Sequence, residues 1–271
     1  LNYCKKFNIG IPVRPYDFSV IRKAIPCKNY EFHLSYDDVN NINEFRFSDI
    51  KYGEKYSVHL PDYIDSTTLI DPFSLDHDIS LRSKKITEKT VEFSRMIENI
   101  SGNRVPIVAS YSNPCDIDDF YCRVSEYIKS LSYANFTMQW LPPFAWYFGG
   151  SVRLKVFEKE ECIADIIKNE IKITLDISHF ILGSNYYGFD KIKLFDLLSK
   201  NIIHIHLSDG SGFDGEGLSV HKDSENKEIL QYALNNSNRK ILEAWQGHIN
   251  NGTGFIDNIH ELRKLKNSND N

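Results

Sequence analysis

The sequence predicts a closed barrel of eight parallel strands with helices between them, a (β/α)8 TIM barrel built as one domain over residues 1–271. Three observations predict it. Eight short β-branched or aromatic runs, each about five residues long, recur along the chain. Longer segments with helical spacing separate them, and strands that alternate with helices imply a mostly parallel sheet. The length of 271 residues matches one barrel. An open nucleotide-binding sheet is the alternative, but no GxGxxG follows the first run.

The predicted strands are Phe7–Ile11, Tyr30–Leu34, Tyr56–Leu60, Pro106–Ala109, Phe136–Trp140, Ile171–Leu175, Ile202–Leu207 and Lys240–Ala244. Pro, Gly, Asn, Asp or Ser follows most of them and marks a turn. Between them, Leu81 to Ile100 places Ile86, Thr90, Phe93 and Ile97 near a period of 3.6. Asp118 to Tyr133, Glu160 to Asn169, Phe189 to Leu198 and the segment from Phe255 repeat that pattern. The polar stretch from Asp37 to Glu54 is expected to be a surface helix with loops. The tail from Asn267 to Asn271 is expected to be disordered.

Composition narrows the classes. Hydrophobic residues make up 41% and charged residues 25%, ordinary for a globular protein. The net charge of -5 gives no bulk attraction to nucleic acid. No apolar run reaches the roughly 20 residues of a membrane helix. Leu1 to Lys6 leads straight into a strand-like run, so no leader peptide is expected. Five cysteines (Cys4, Cys27, Cys115, Cys122 and Cys162), an odd number without CxxC spacing, read as reduced thiols. Together these readings give a cytoplasmic expectation.

In a parallel barrel the carboxyl ends of the strands face the functional site. Six of the nine histidines fall at or just beyond predicted strand ends: His33, His59, His179, His204, His206 and His248. His33 reads equally as a core histidine. His204 shares a strand face with His206 and is expected one layer deeper, as a structural residue. Asp176, His206 and Glu243 lie at the ends of three consecutive strands. Two carboxylates aimed into one barrel mouth need a cation or strong donors. A mixed histidine and carboxylate set suits Mn²⁺, Zn²⁺ or Mg²⁺.

Seven of the 14 glycines fall between Gly210 and Gly254, after strands seven and eight. That is where barrels of this kind hold phosphate, on backbone amides and a helix N-terminus. A flexible glycine-rich lid explains the same pattern. Trp140, Trp146, Tyr147, Phe148 and Trp245 offer an apolar platform for a sugar, or ordinary packing around the mouth.

At these motifs the sequence resembles the xylose isomerase-like TIM-barrel superfamily of sugar isomerases, sugar epimerases and endonuclease IV-type repair enzymes. The resemblance lies in "LDISH" from Leu175, in His206-Leu-Ser-Asp209 and in Glu243. The strings "EFHLSY" from Glu31, "LPPFAWYFGG" from Leu141, "DGEGL" from Asp214 and "EAWQGHINNGTGF" from Glu243 are similar to one subgroup. Its members are sugar phosphate isomerase/epimerase-like modules fused to, or associated with, N-acetylneuraminate (sialic acid) synthase-type enzymes. The resemblance implies metal ligands at Gln139, Asp176, His206 and Glu243. The first is Gln where the epimerases carry Glu, and an amide cannot accept the proton that the second glutamate of such enzymes accepts. Glu243 is then the leading base, with His179 and Glu216 as helpers. His59, Trp140, Asp209, Asp214, Trp245 and His248 are the expected substrate-binding residues.

The expected function is a divalent-metal-dependent isomerase or epimerase of a sugar or sugar phosphate, within sialic acid biosynthesis. A non-catalytic sugar-binding module is the alternative from a different class. An endonuclease IV-type phosphodiesterase needs a three-metal cluster. His59, Asp176, His179, His206, Asp214 and Glu243 have counterparts there, but Ser110 stands where a ligand histidine is expected. The expected partners are a small sugar and a fused or associated synthase, without nucleic acid or membrane.

Overall fold

The computed structural model describes residues 2–114, 116–158 and 160–267; Cys115 and residues 268–271 of the expected disordered tail lie outside the described residues. In chain order the barrel strands are β1 (Ile9–Val13), β2 (Asn29–His33), β3 (Lys55–His59), β4 (Ile107–Ala109), β5 (Phe136–Gln139), β6 (Ile173–Asp176), β7 (Ile202–His206) and β8 (Arg239–Ile241). They run parallel in the order β1-β8-β7-β6-β5-β4-β3-β2, and β2 pairs with β1 to close the sheet. The eight predicted strands are these eight, with ends displaced by up to about three residues.

The helices are α1 (Asn2–Lys6), α2 (Phe18–Ala24), α3 (Tyr36–Asn40), α4 (His77–Ser101), α5 (Phe120–Ser130), α6 (Glu160–Lys168), α7 (Ile177–Tyr187), α8 (Lys191–Leu198), α9 (Lys227–Asn235) and α10 (Ile249–Asn267). On α4 the predicted stripe Ile86, Thr90, Phe93 and Ile97 is buried. Asp76 caps its start through the amides of Asp78 and Ile79, and Gly102, in the left-handed region, ends it. The stretch 37–54 forms most of α3 and two short 3-10 turns, with Val39 and Ile50 buried beneath.

Strand alternation sorts the side chains. On β2, Tyr30 and Phe32 point outward under the helices. The Phe32 ring lies 5.0 Å from Phe18 of α2 and 5.8 Å from Phe93 of α4. Truncating a ring buried in such a cluster costs about 3–5 kcal/mol. Glu31 and His33 therefore face the barrel axis. The same parity turns Gln139 inward and Trp140 outward.

Two hairpins stand beside the eight barrel strands. Phe144–Tyr147 and Gly150–Arg153 form an antiparallel hairpin above β5. Its tip, Phe148-Gly149, has positive φ at both residues, the geometry that matches the twist of tight hairpins. The glycine-rich stretch after β7 forms a second hairpin, Asp209–Ser211 with Gly215–Leu218. Its Gly217 has φ +65°, and a Cβ there would lie 2.3 Å from the Trp245 ring. A Cβ on Gly254 would lie 2.1 Å from the Gln246 carbonyl oxygen. These two glycines answer to close packing. No helix among the described residues is long and apolar enough to cross a membrane. The described cysteines, Cys4, Cys27, Cys122 and Cys162, are free.

Candidate active site and metal centre

The inward side chains at the carboxyl ends of the strands meet around His206. Its Nδ1 lies 2.5 Å from Glu243 Oε2, 3.2 Å from Gln139 Nε2 and 3.8 Å from Asp176 Oδ2. Its Nε2 points down the axis to Glu31 Oε1, 2.8 Å away. Asp176 divides its two oxygens. Oδ1 caps α7, accepting from the His179 amide at 3.1 Å and from Ser178 Oγ at 2.8 Å. Oδ2 faces the centre and accepts from Gln139 Nε2 at 3.2 Å. The four residues carried over from the resemblance thus come together.

Glu31 was missed as a site residue. It is fully buried and its carboxylate meets four groups: Ser57 Oγ at 2.6 Å, His204 Nε2 at 2.8 Å, His206 Nε2 at 2.8 Å and His33 Nε2 at 3.0 Å. His33 then reaches from Glu31 to Glu243, with Nδ1 3.6 Å from Oε1. His33 and His206 therefore bridge the same two carboxylates. His204 sits one layer below His206, where the strand parity places it.

The charges follow this arrangement. Burial opposes a charged His206, but Glu243 and Glu31 on either side outweigh it and raise its pKa well above the usual range. Burial likewise works against ionised Glu31, and His206 and His204 overcome it to hold that carboxyl well below its ordinary value. Glu243 is held down in the same way, chiefly by His206. His204 carries the burial without enough compensation and falls to about 4.

A second acid–base pair borders the first. His179, at the start of α7, places Nε2 3.0 Å from Glu216 Oε2 and Nδ1 2.9 Å from the Trp140 carbonyl oxygen. Burial would lower its pKa, but Asp176 and Glu216 raise it to about 9.

Above these groups opens a cavity of about 380 Å³, within the range of small-molecule sites. His59, Trp245 and His248 line it, as do His179, Glu216, Gln139, Asp176 and Glu243. Three expected substrate-binding residues do not. Trp140 is 1% exposed, and its indole stacks outside the barrel on Phe157, 4.2 Å between ring centres. Asp209 spends its carboxylate on Ser224 Oγ, Asn226 Nδ2 and the Gly210 amide, fixing the hairpin base. Asp214 lies at the hairpin turn, where its carbonyl accepts from Trp146 Nε1 at 3.0 Å. Arg14, Asp62 and Ser208 line the cavity without having been singled out. Asp62 Oδ1 and Ser208 Oγ are buried and have no hydrogen-bond partner among the described residues.

The donor set fits a divalent cation. His59, His206 and Glu243 bring ligand atoms within 4.8 Å of one another, with Asp176 alongside. A metal-ligating histidine is usually supported by a carboxylate at its far nitrogen, and Glu31 Oε1 lies 2.8 Å from His206 Nε2. The Gln139 amide also fits. Its Oε1 accepts from Ser110 Oγ at 2.6 Å and lies 3.0 Å from His59 Nε2. The His59 Nδ1 lies 2.8 Å from the Leu60 carbonyl oxygen, so it carries the proton of the neutral ring. Nε2 of that tautomer and Gln139 Oε1 are then two acceptors facing each other at 3.0 Å, a pairing repulsive alone and favourable around a cation.

No protein-family model matches the chain. An uncharacterised protein of Methanocaldococcus jannaschii is 36% identical over 101 residues, 36% of this chain and 38% of the relative, so the match spans little more than a third of that protein. Solved structures share the fold across nearly the whole chain. The 3-keto-D-glucoside 4-epimerase of E. coli superposes with a TM-score of 0.58 at 14% identity, covering 94% of this chain and 98% of its own. A Thermus thermophilus protein soaked with ZnCl2 gives 0.59 at 11% identity, over 94% and 97%. A D-psicose 3-epimerase, in the presence of D-fructose, gives 0.54 at 15% identity, over 95% and 96%. At these identities the likeness is one of fold.

Proposed function

We propose that this chain is a divalent-metal-dependent isomerase or epimerase of a sugar or sugar phosphate. The observation that carries the reading is the convergence of Asp176, His206, Glu243 and Gln139 on the floor of one polar cavity. The orphaned Asp62 Oδ1 and Ser208 Oγ suit a ligand rich in hydroxyl groups, and Trp146 and Trp245 line the same cavity. A bound divalent cation would polarise the substrate carbonyl and neutralise charge growing on its oxygen.

The chain's own residues supply the proton chemistry. Glu243, with its side chain 21% exposed, is the carboxylate open to the cavity and takes the proton from the carbon beside the carbonyl. Gln139 stands where a second glutamate would return it. His179, held protonated against Glu216, delivers a proton from two strands away. Asp176 lies between the two pairs and keeps both in register. Association with a sialic acid synthase belongs to this proposal through the sequence strings alone.

One observation favours the non-catalytic alternative. The Gln139 amide nitrogen contacts both Asp176 and His206, and so eases the crowding of acceptors without a cation. Elemental analysis of the purified protein, followed by incubation with neutral and phosphorylated ketoses and aldoses in D2O, separates the two. The enzyme reading expects bound metal and carbon-bound deuterium, lost in Glu243→Gln and His179→Gln. Sugar binding without metal or exchange would leave the binding module as the better account.

A further inference from the structure

We infer that Arg14, with His248 beside it, forms a subsite for an anionic group, a carboxylate or phosphate, at one end of the sugar. The inference rests on the sugar reading of the same cavity and adds the charge of the substrate.

The argument starts from charge pairing around the cavity. Asp176 and Glu243 face His206 and the metal position, and His179 faces Glu216. Arg14 is left over. It follows the end of β1, and its guanidinium lines the cavity, with Nη1 donating to the His33 carbonyl oxygen at 2.9 Å. Among the described residues no carboxylate oxygen lies within 4 Å of that guanidinium.

The nearest candidate, Asp17, is committed elsewhere. Its Oδ1 accepts from the Arg14 backbone amide at 2.7 Å, and its Oδ2 lies 3.3 Å from His248 Nδ1. Asp17 therefore fixes the turn that carries Arg14 and holds the His248 ring, leaving the guanidinium unneutralised. A half-buried guanidinium with most of its donors free matches a bidentate oxyanion. His248 lines the same cavity and turns Nδ1 to Asp17, which leaves Nε2 for a ligand.

The position orders the substrate. β1 lies across the barrel from β5, whose hairpin carries Trp146 and Tyr147. An anion on Arg14 and His248 places the rest of the molecule over Glu243, with its hydroxyl groups toward Asp62. The Asp62 carboxylate repels the reverse orientation. This subsite lies at β1 and β8, away from the glycine-rich hairpin after β7.

D-Glucose, D-glucuronate and D-glucose 6-phosphate share one ring and differ at C6 as hydroxymethyl, carboxylate or phosphate. Each is titrated calorimetrically into the wild type, Arg14→Gln and Arg14→Lys, after melting curves show the variants folded. We expect one or both charged sugars to bind at least about tenfold more tightly than glucose, and Arg14→Gln to erase that advantage while leaving glucose unchanged. Arg14→Lys keeps the charge without the fork and falls between. The stronger of the two charged ligands identifies carboxylate or phosphate as the source. Equal binding of all three, or an Arg14→Gln loss that includes glucose, overturns the subsite and leaves the sugar reading standing. If no sugar binds, inorganic phosphate is titrated against tryptophan fluorescence. An Arg14-dependent response keeps the anion site and sinks the sugar reading, and no response sinks both.

Discussion

Glu31 occupies the centre of the barrel axis, where Ser57, His33 and His204 donate to it and His206 Nε2 lies 2.8 Å away. Replacing it with Gln removes a charge that His206 and His33 both lean on. Breaking a buried pair by deleting one partner leaves the other charge uncompensated and costs about 3–5 kcal/mol. The second consequence is positional, because His206 loses the carboxylate charge that stands beside its ring. Denaturant unfolding of Glu31→Gln should show a loss of that size, and calorimetry should show metal affinity down by about 10–100-fold. Unchanged stability and unchanged metal affinity would remove Glu31 from the site. The residue was hard to read because a lone carboxylate in a five-residue apolar run looks like the solvent-facing side of a strand. Its spacing of two from His33, itself at a strand end, was the available signal. Trp140 is the converse. Strand parity alone, counted from Gln139, turns its indole out of the cavity.

At the scale of elements, the rim was the poorly legible part. α7 escaped detection because Ile177, Ser178, Phe180, Ile181, Leu182 and Gly183 are all buried, and a helix without a polar face shows no amphipathic period. The glycine-rich stretch after β7 reads equally as part of a phosphate site and as a flexible lid, and it folds as a hairpin with Trp245 packed over Gly217. Gly217→Ala tests that packing. The left-handed φ disfavours any Cβ, and the added atom would overlap the indole. We expect a loss of about 1–3 kcal/mol and a shift in tryptophan emission as the Trp245 ring is displaced. A variant with native stability and emission would mean that the hairpin and Trp245 are not packed together. The same hairpin carries Glu216 to His179, so the substitution should also weaken any His179-dependent exchange.

For the whole molecule, the strand pattern was legible because outward residues such as Phe32, Met138 and Leu175 pack under helices, and that burial demands apolar side chains at alternate positions. The inward positions are free to be polar, and here they gather Glu31, Gln139, Asp176, His206 and Glu243 inside one closed sheet. A cation at the top of that interior ties β5, β6, β7 and the segment after β8 together in the folded state only. Metal present at a hundredfold excess over its dissociation constant should therefore add about 2.7 kcal/mol, or about 5 °C of melting temperature for a chain of this size. Gln139→Glu gives the sharper test because its effect changes sign. Without metal, the new carboxylate stands against Asp176, whose Oδ2 is 3.2 Å from the present amide nitrogen, and the fold loses stability. With Zn²⁺ or Mn²⁺, the same carboxylate becomes a charged ligand and tightens binding. Melting curves in chelator and in excess metal should therefore lie further apart for Gln139→Glu than for the wild type, and closer together for Glu243→Gln. Parallel shifts in all three proteins would show that metal acts elsewhere and that these four side chains do not form its site.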